Sequence, residues 1–290
     1  MAAAKTGKAE TGKDEQRLLK TVICRGARIR YSDTGKGRAI VLLHGFLESL
    51  EVWNYNGFAD ELAKKFRVIA IDLPGHGKSD CLGYVHRMER MADVVKDVMD
   101  HAGLRRYVIV GHSMGGYVAL AFAEKYPEFL RGLCLFHSTA LADSEEKQLD
   151  RERAIRIVKR SAVKYTHPLV TNLFALANVR YMKKEITWLR RVASRTRKQG
   201  IVAALEGMKI RRNREPVLKF APYPVLIIAG KRDNVIPVHT LEEQAKLPKT
   251  CRLLALDRVG HMGFIEAREL TLQKLRAFTG ACYKRKFAGV

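Results

Sequence analysis

The stretch YVIVGHSMGG, residues 107–116, is an apolar run that ends at a serine between glycines. Four residues that favour β-strands are followed at once by Gly111, His112 and Ser113. The pattern predicts a buried strand, a tight turn and a helix, with Ser113 in the turn. The turn either presents Ser113 as a nucleophile or contains it by chance, because a serine alone does no chemistry.

The chain on both sides of this stretch repeats the alternation of apolar runs and helical periodicity. Residues 22–35 alternate in polarity around a glycine, which predicts a β-hairpin. Buried strands are predicted in 39–45, 67–80, 106–113, 130–139, 224–233 and 251–261. Helices are predicted in 58–66, 87–103, 114–128, 239–247 and 264–280. Such alternation predicts an α/β fold whose sheet is mostly parallel and covered by helices on both faces.

One segment interrupts this alternation. Residues 143–215 are helical in pattern and strongly basic, and they contain no strand-like apolar run. The alternation then resumes, so the segment is predicted to be an insertion between two parts of one core, 21–142 and 216–282. The polar residues 1–20 are expected to be a disordered tail, and the basic residues 283–290 a second tail.

Length and composition limit the classes of protein. The 290 residues fit one large domain, and 47% apolar residues are enough for a full core. No run of eighteen apolar residues occurs, so no membrane span is expected. The start of the chain lacks the apolar stretch of a secretory signal. Five cysteines without metal-binding spacing are predicted to be free thiols, and together these features predict a cytoplasmic protein.

Charge is the unusual feature of the composition. Lys and Arg number 53 against 30 Asp and Glu, a formal net charge of +23. Residues 143–215 contain nineteen Lys and Arg and eight Asp and Glu, a difference of +11. This excess indicates either an anionic partner, such as a negatively charged substrate, acidic lipid or nucleic acid, or a solvated basic surface. Nucleic acid is the weakest of these, because only Trp188 stands near the clustered cations as a stacking aromatic.

Three residues that follow predicted strands could together form a catalytic triad. They occur in the chain order Ser113, Asp233, His261, which is the order of a serine-hydrolase triad on an α/β sheet. The carboxyl ends of parallel strands meet at one edge of a sheet, so these side chains can converge there. His261 would take the proton of the serine hydroxyl, and Asp233 would orient the imidazole. Asp257 is the alternative acid.

Backbone donors for a negatively charged intermediate are expected beside Ser113. The tetrahedral intermediate of acyl transfer needs preset donors for its oxyanion. The N–H groups of Phe46 and of Met114, the residue after Ser113, are the candidates. A tight turn at the serine also requires neighbours without side chains, which Gly111 and Gly115 provide.

The walls of a substrate pocket are harder to identify from the sequence. Five residues near the predicted strand ends are candidates for substrate contact, although packing in the core would explain each of them equally. They are Trp53, Tyr117, His137, Met262 and Phe264. The chemistry of a serine triad needs no metal or organic cofactor, and none is expected.

Five segments resemble the serine-nucleophile α/β-hydrolase family, the group that contains small carboxylesterases and lactonases. They are VLLHGFLES (41–49), VIAIDLPGHGKSD (68–80), VIVGHSMGGYVALAFAEKYPE (108–128), VLIIAGKRDNVIP (225–237) and VGHMGFIE (259–266). The resemblance covers roughly residues 38–142 and 220–280. Residues 143–215 match by position the helical cap domain of the family, which roofs the pocket.

The resemblance implies an α/β-hydrolase fold with an inserted helical cap, and hydrolysis of a carboxylic ester or lactone through a seryl acyl-enzyme. The partner would be a small ester-like molecule, which could be anionic. Asp72 and His76, in the DLPGHGKSD segment, are expected to be structural. Haloalkane dehalogenases and epoxide hydrolases of this fold carry Asp where this chain has Ser113, so the resemblance does not extend to their reactions.

Two kinds of alternative function stay open. The same triad serves the hydrolysis of thioesters, amides and C–C bonds, and the sequence does not separate these reactions. A protein of a different class would use the hydrolase scaffold without catalysis and hold an anionic partner on the basic segment 143–215. An intact triad argues for the enzyme.

Overall fold

The computed structural model describes residues 18–284, and one eight-stranded sheet organises them. The strands are β1 Leu18–Cys24, β2 Ala27–Thr34, β3 Ala39–Leu43, β4 Arg67–Ile71, β5 Tyr107–His112, β6 Leu130–Phe136, β7 Val225–Gly230 and β8 Cys251–Leu256. Their order across the sheet is β1-β2-β4-β3-β5-β6-β7-β8. Strand β2 pairs antiparallel with β1 and β4, and all other neighbours are parallel. The predicted α/β fold with a mostly parallel sheet is confirmed.

The helices of the described residues form two groups. Those of the core are α1 Glu51–Asn54, α2 Phe58–Ala63, α3 Met88–His101, α4 Met114–Lys125, α10 Glu215–Lys219, α11 Val238–Gln244, α12 Gly263–Glu266 and α13 Arg268–Cys282. Those of the inserted segment are α5 Glu145–Arg160, α6 Ala162–Asn172, α7 Leu176–Val179, α8 Lys183–Ser194 and α9 Lys198–Lys209. In the inserted segment, hereafter the cap, α5 packs against α9 and α6 against α8.

The centre of the sheet is buried on both faces. Every residue of β3, β5 and β7 is buried, which explains why these strands are continuous apolar runs instead of alternating ones. Parallel pairing brings the carboxyl ends of β5, β7 and β8 to the same edge. The loops that leave this edge carry Ser113, Asp233 and His261.

The predicted hairpin at the start of the sheet is confirmed. Strands β1 and β2 are joined by Arg25 and Gly26, which have φ of 52° and 82°, as a two-residue hairpin turn requires. Strand β1 begins at Leu18, three residues inside the predicted polar tail, because its backbone pairs with β2. Residues 1–17 and 285–290, which hold the rest of the two predicted tails, lie outside the described part of the chain.

The single helix predicted over 264–280 is wrong: the chain forms two helices, α12 and α13, with a break at Ala267. Its φ of −137° and ψ of 48° are not helical. The side chain of Glu266 turns back to accept hydrogen bonds from the N–H groups of Gly260 and Met262, at 3.0 and 3.2 Å. These hydrogen bonds fix the loop that precedes α12, and the chain does not continue from α12 into α13 as one helix.

Two further features agree with the composition. Cys24, Cys81, Cys134, Cys251 and Cys282 are all free thiols, as predicted. None of the helices within residues 18–284 combines the length and the hydropathy that a membrane crossing would need.

Candidate active site

Ser113 lies in a strained turn between β5 and α4. Its φ of 49° and ψ of −116° fall outside the ordinary regions for a residue with a side chain. The turn is held by hydrogen bonds on both sides of the residue. Its N–H donates to the carbonyl of Phe136 at 3.0 Å, and its carbonyl accepts from Gly116 N–H at 2.9 Å and Ser138 Oγ at 2.8 Å. Strain that the surroundings enforce in this way is typical of functional positions.

The glycines around Ser113 permit a close approach of α4 to the sheet. A Cβ atom at Gly115 would collide with the carbonyl oxygen of Leu43 in β3, and one at Gly111 with the carbonyl of Gly115. Backbone cannot yield as a flexible side chain can, so neither position tolerates a side chain without a shift of α4. The glycines therefore serve packing, and packing sets the position of the serine.

Asp233 and His261 form a hydrogen-bonded pair. His261 Nδ1 lies 2.7 Å from Asp233 Oδ2, and Asp233 Oδ1 accepts from the N–H groups of Val235 and Ile236 at 2.8 and 3.0 Å. Burial raises the pKa of Asp233, but attraction to His261 and the interactions with the His137 and His261 rings outweigh it and hold the pKa well below its usual value. An ionised Asp233 keeps the imidazole proton on Nδ1, which leaves Nε2 free to accept a proton.

Ser113 and His261 line one cavity of about 110 Å³ between the sheet edge and the cap. Its walls are mostly apolar and come from both parts of the chain. The lining residues are Phe46, Leu47, Glu48, Ser113, Tyr117, Arg151, Tyr165, Leu169, Val170, Leu173, Leu189, Met208, Val235 and His261. A polar pair inside an apolar, roofed cavity is the usual arrangement of a small-molecule site.

The two predicted oxyanion donors are unoccupied. Among residues 18–284, no acceptor lies within hydrogen-bond distance of the N–H of Phe46 or of Met114. Met114 is the first residue of α4, where N–H groups have no partner within the helix and the helix dipole favours negative charge. Phe46 lines the same cavity as Ser113. The structure thus leaves two free donors near the serine.

Of the five predicted substrate contacts, only Tyr117 is among the residues that line the cavity. Trp53, Met262 and Phe264 are almost completely buried. The Trp53 ring packs 4.9 Å from that of Phe264 and 6.3 Å from that of Phe136, measured between centroids. These large apolar side chains lie in the core beneath the sheet edge, where burial is more favourable than a place in an open wall.

His137, the remaining predicted contact, is buried beside Asp233. Its Nδ1 lies 3.3 Å from Asp233 Oδ2, and its Nε2 accepts from Gly263 N–H at 3.2 Å. Burial lowers the pKa of His137 to about 4, so the ring is neutral and carries its proton on Nδ1. Potential ligand atoms of His137, Asp233 and His261 lie within 4.8 Å of one another. A metal on Nδ1 of His137 would move the ring proton to Nε2, where it would face the N–H of Gly263, so the cluster fits a carboxylate between two imidazoles better than a metal site.

A second buried pair, Glu48 and His112, lies behind His261. His112 Nδ1 is 3.1 Å from Glu48 Oε2, and His112 Nε2 is 2.9 Å from the carbonyl oxygen of His261. Both ring nitrogens thus face acceptors, which favours the doubly protonated imidazole. Burial lowers the pKa of His112, but attraction to Glu48 outweighs it and raises the pKa. No local pattern in the sequence predicts this pair, because the two residues are 64 positions apart.

We expect the Glu48→Gln variant to lose more stability at pH 6 than at pH 9. The raised pKa of His112 stabilises the fold below about pH 6.5 and this contribution is lost as pH rises through the folded value. The pKa of Glu48 is lowered, against the effect of burial, by His112, and this contribution is present above about pH 4.5. Both contributions are present between about pH 4.5 and about pH 6.5. In this range, loss of the pair should lower the free energy of unfolding by about 3 kcal/mol.

Urea unfolding at the two pH values measures the effect. The control is Glu146→Gln, which changes an exposed glutamate in the first turn of α5 and should show little difference between the two pH values. An equal loss for Glu48→Gln at pH 6 and pH 9 would contradict this expectation, because the charge of the pair would then not change between the two pH values.

Glu266 is a further positioning residue that the sequence analysis did not identify. Besides Gly260 and Met262, its carboxylate accepts from the N–H of Ala175 at 3.0 Å and from Asn178 Nδ2 at 2.7 Å, both in the cap. The N–H of His261 donates to a cap carbonyl, that of Leu173, at 2.6 Å. The loop that carries His261 is therefore fixed between core and cap. The only indication of this role in the sequence is an acidic residue five positions after His261.

Two other acidic residues singled out in the sequence, Asp257 and Asp72, make structural contacts. Asp257, the alternative acid, is exposed to 80% at its side chain and pairs with Lys231 at 2.6 Å, not with His261. Asp72 is buried and accepts from the N–H groups of Leu50 and Lys78, both at 2.8 Å, which agrees with the structural role expected for it.

Comparison with known proteins gives a consistent result. A family model described as alpha/beta hydrolase fold matches residues 38–268. The 2-hydroxy-6-oxononadienedioate/2-hydroxy-6-oxononatrienedioate hydrolase of Paraburkholderia phymatum is 31% identical over 269 residues, which is 87% of this chain and 91% of that protein. The pimeloyl-(acyl-carrier protein) methyl ester esterase of Nitrosomonas europaea is 30% identical over 254 residues, 84% of this chain and 96% of that protein.

A solved structure is similar over nearly the whole chain. It is a thermophilic esterase from Thermogutta terrifontis with malate bound, 30% identical, with a TM-score of 0.86. The alignment covers 93% of this chain and 100% of the esterase.

Proposed function

Because the chain belongs to the alpha/beta hydrolase family, we propose that it hydrolyses a carboxylic ester or lactone of a small acid through a seryl acyl-enzyme. The observation that carries this proposal is that Ser113 and His261 line one apolar cavity, and that His261 is hydrogen-bonded to Asp233. The esterases among its relatives support the same reaction.

The proposed reaction has two halves. Ser113 Oγ attacks the acyl carbon while His261 Nε2 takes the hydroxyl proton, and the N–H groups of Phe46 and Met114 stabilise the oxyanion. His261 then protonates the leaving alcohol, and the acyl group stays on the serine. Water, deprotonated by His261, then attacks the acyl carbon. The bond to Ser113 Oγ breaks as His261 returns the proton to Oγ, and the acid is released. Asp233 stabilises the imidazolium in both halves and remains ionised.

Hydrolysis of a C–C bond is the second candidate. It is favoured by the similarity to the Paraburkholderia phymatum hydrolase, and the same Ser113, His261 and Asp233 would serve it. A fluorophosphonate probe separates both reactions from a non-catalytic binding role, because it labels an activated serine. Turnover of simple alkyl esters then separates ester hydrolysis from C–C cleavage.

We expect short acyl esters to be the better substrates. The cavity is small, about 110 Å³, and forcing extra methylenes into a packed site costs roughly 1–3 kcal/mol. Among p-nitrophenyl esters, the acetate and butyrate should therefore exceed the decanoate in kcat/KM by about tenfold or more. Initial rates across the series measure this. A rate that rises steadily to the decanoate would contradict the proposed size of the acid.

We also propose a cellular location for the protein. Five free cysteines favour a reducing compartment, which supports the cytoplasm. The partner we propose is a small-molecule substrate.

A further inference from the structure

The cavity wall that the cap provides is apolar apart from one charged side chain and the hydroxyl of a tyrosine. Seven of the lining residues belong to the cap: Arg151, Tyr165, Leu169, Val170, Leu173, Leu189 and Met208. Arg151, on α5, is the only charged side chain among these seven. A small number of polar groups in an apolar wall is the usual means by which a pocket fixes the orientation of its ligand.

Arg151 is held in place by the buried carboxylate of Asp143. Its Nε donates to Oδ2 of Asp143, and its Nη2 donates to Oδ1 at 3.2 Å. These bonds occupy one edge of the guanidinium. The other edge, formed by Nη1 and the second N–H of Nη2, has no acceptor among residues 18–284. Two parallel N–H groups on one edge match the two oxygens of a carboxylate.

Asp143 is shared with a second arginine, which leaves an excess positive charge. Arg211 donates from Nη1 to Oδ1 of Asp143 and from Nε to the carbonyl of Leu141 at 3.1 Å. Its guanidinium lies 4.0 Å from the ring centroid of Tyr117, which also lines the cavity. Burial raises the pKa of Asp143, but Arg151 and Arg211 outweigh it and keep the carboxylate ionised. Two cations and one anion give the cluster a net charge of +1.

The negative charge in the cavity wall is already balanced. Glu48 is the acidic residue among those that line the cavity. It accepts from the N–H of Gly45 at 2.6 Å and from His112, whose raised pKa favours a positive charge beside it. The excess charge that faces the cavity is therefore that of Arg151.

We propose that Arg151 binds a carboxylate of the substrate, so that the preferred substrates are esters of acids that carry a second, free carboxylate, such as half-esters of small dicarboxylic acids. This inference rests on the proposed ester hydrolysis and names the class of acid. A structural role alone does not explain Arg151, because Arg211 already neutralises the charge of Asp143. A bound carboxylate would satisfy the open edge of Arg151 and cancel its charge.

The test compares two esters that differ only in charge. They are the p-nitrophenyl monoester of glutaric acid and the same ester with a primary amide in place of its carboxylate, each corrected for the rate without enzyme. The wild type should prefer the charged ester by about 10- to 100-fold in kcat/KM, the range of one charge-assisted contact. In Arg151→Gln this preference should fall to about one, because the variant loses more rate for the charged ester than for the amide ester.

Two further variants distinguish a direct contact from other effects. Arg151→Lys keeps the charge without the fork of donors, so we expect an intermediate preference. Arg156→Gln removes an exposed arginine from the same helix and should leave the preference unchanged. If Arg156→Gln lowers the preference as much as Arg151→Gln does, the effect is one of overall charge and the inference is wrong. It is also wrong if the wild type has no preference, or if Arg151→Gln slows both esters equally.

A binding measurement separates this inference from the proposed function. Glutarate should raise the Tm of wild type and of Arg156→Gln but not that of Arg151→Gln. If the wild type hydrolyses neither ester yet glutarate acts in this way, the ester-hydrolase proposal fails and the carboxylate site stands. If the esters are hydrolysed and glutarate shifts all three proteins equally, the carboxylate site fails alone.

Discussion

The Ser113→Ala variant should lose ester hydrolysis by about 10⁴- to 10⁶-fold in kcat while it remains folded. The reason is that, among the residues of 18–284 that line the cavity, Ser113 has the only aliphatic hydroxyl and none is a cysteine. The side chain of Ser113 makes no hydrogen bond that holds the turn, since its backbone makes those bonds with Phe136, Gly116 and Ser138. The Tm should therefore stay within a few degrees of that of wild type. Rates with p-nitrophenyl butyrate and a thermal melt measure both effects.

The matched control is Ser138→Ala. This serine is also buried beside the turn, but its hydroxyl only donates to the carbonyl of Ser113. It should cost stability, about 1 kcal/mol, and keep activity within about tenfold of wild type. Wild-type activity in a folded Ser113→Ala variant would show that the nucleophile is another residue. Fluorophosphonate labelling of wild type but not of Ser113→Ala would support the same assignment independently of turnover.

Asp233→Asn should lower kcat by about 10⁴-fold. An amide at this position donates a hydrogen bond to Nδ1 of His261, which moves the imidazole proton to Nε2 and removes the base from the serine. Oδ1 can still accept from Val235 and Ile236, so the loop should keep its conformation. The kcat should fall at every pH between 6 and 9, since the tautomer and not a titration is changed.

Asp257→Asn is the control for this variant. Asp257 follows β8 and is acidic, but it is exposed and paired with Lys231. Its rates should match those of wild type within about twofold, because an exposed ion pair contributes little. If Asp257→Asn is the inactive variant and Asp233→Asn is active, the acid of the triad has been assigned to the wrong strand.

The sequence by itself determined the fold class and the three residues of the candidate triad. Buried parallel strands appear in a sequence as continuous apolar runs, and the glycines beside Ser113 indicate a close approach of backbone to backbone. Parallel strands end at the same edge of a sheet, and this rule alone predicts that Ser113, Asp233 and His261 lie close together. The hairpin turn at Arg25 and Gly26 was likewise a local signal.

Tertiary structure alone decided which side chains form the pocket. Trp53 and Phe264 follow strand ends as Tyr117 does, yet they pack in the core, because a side chain's direction depends on how its helix is rotated against the sheet. Arg151 reaches the cavity only because the cap helices pack over the sheet edge and Asp143 holds its guanidinium there. Nothing in the spacing of the basic residues of α5 distinguishes it from its exposed neighbours.

The supports of the triad were also decided only by the folded chain. His112 meets Glu48 across 64 residues and the carbonyl of His261 across 149. The carboxylate of Glu266 joins the loop of His261 to the cap residue Asn178, 88 positions away. Burial makes such polar groups find partners, but it does not say which partners. Those are set by the packing of elements that are distant in sequence.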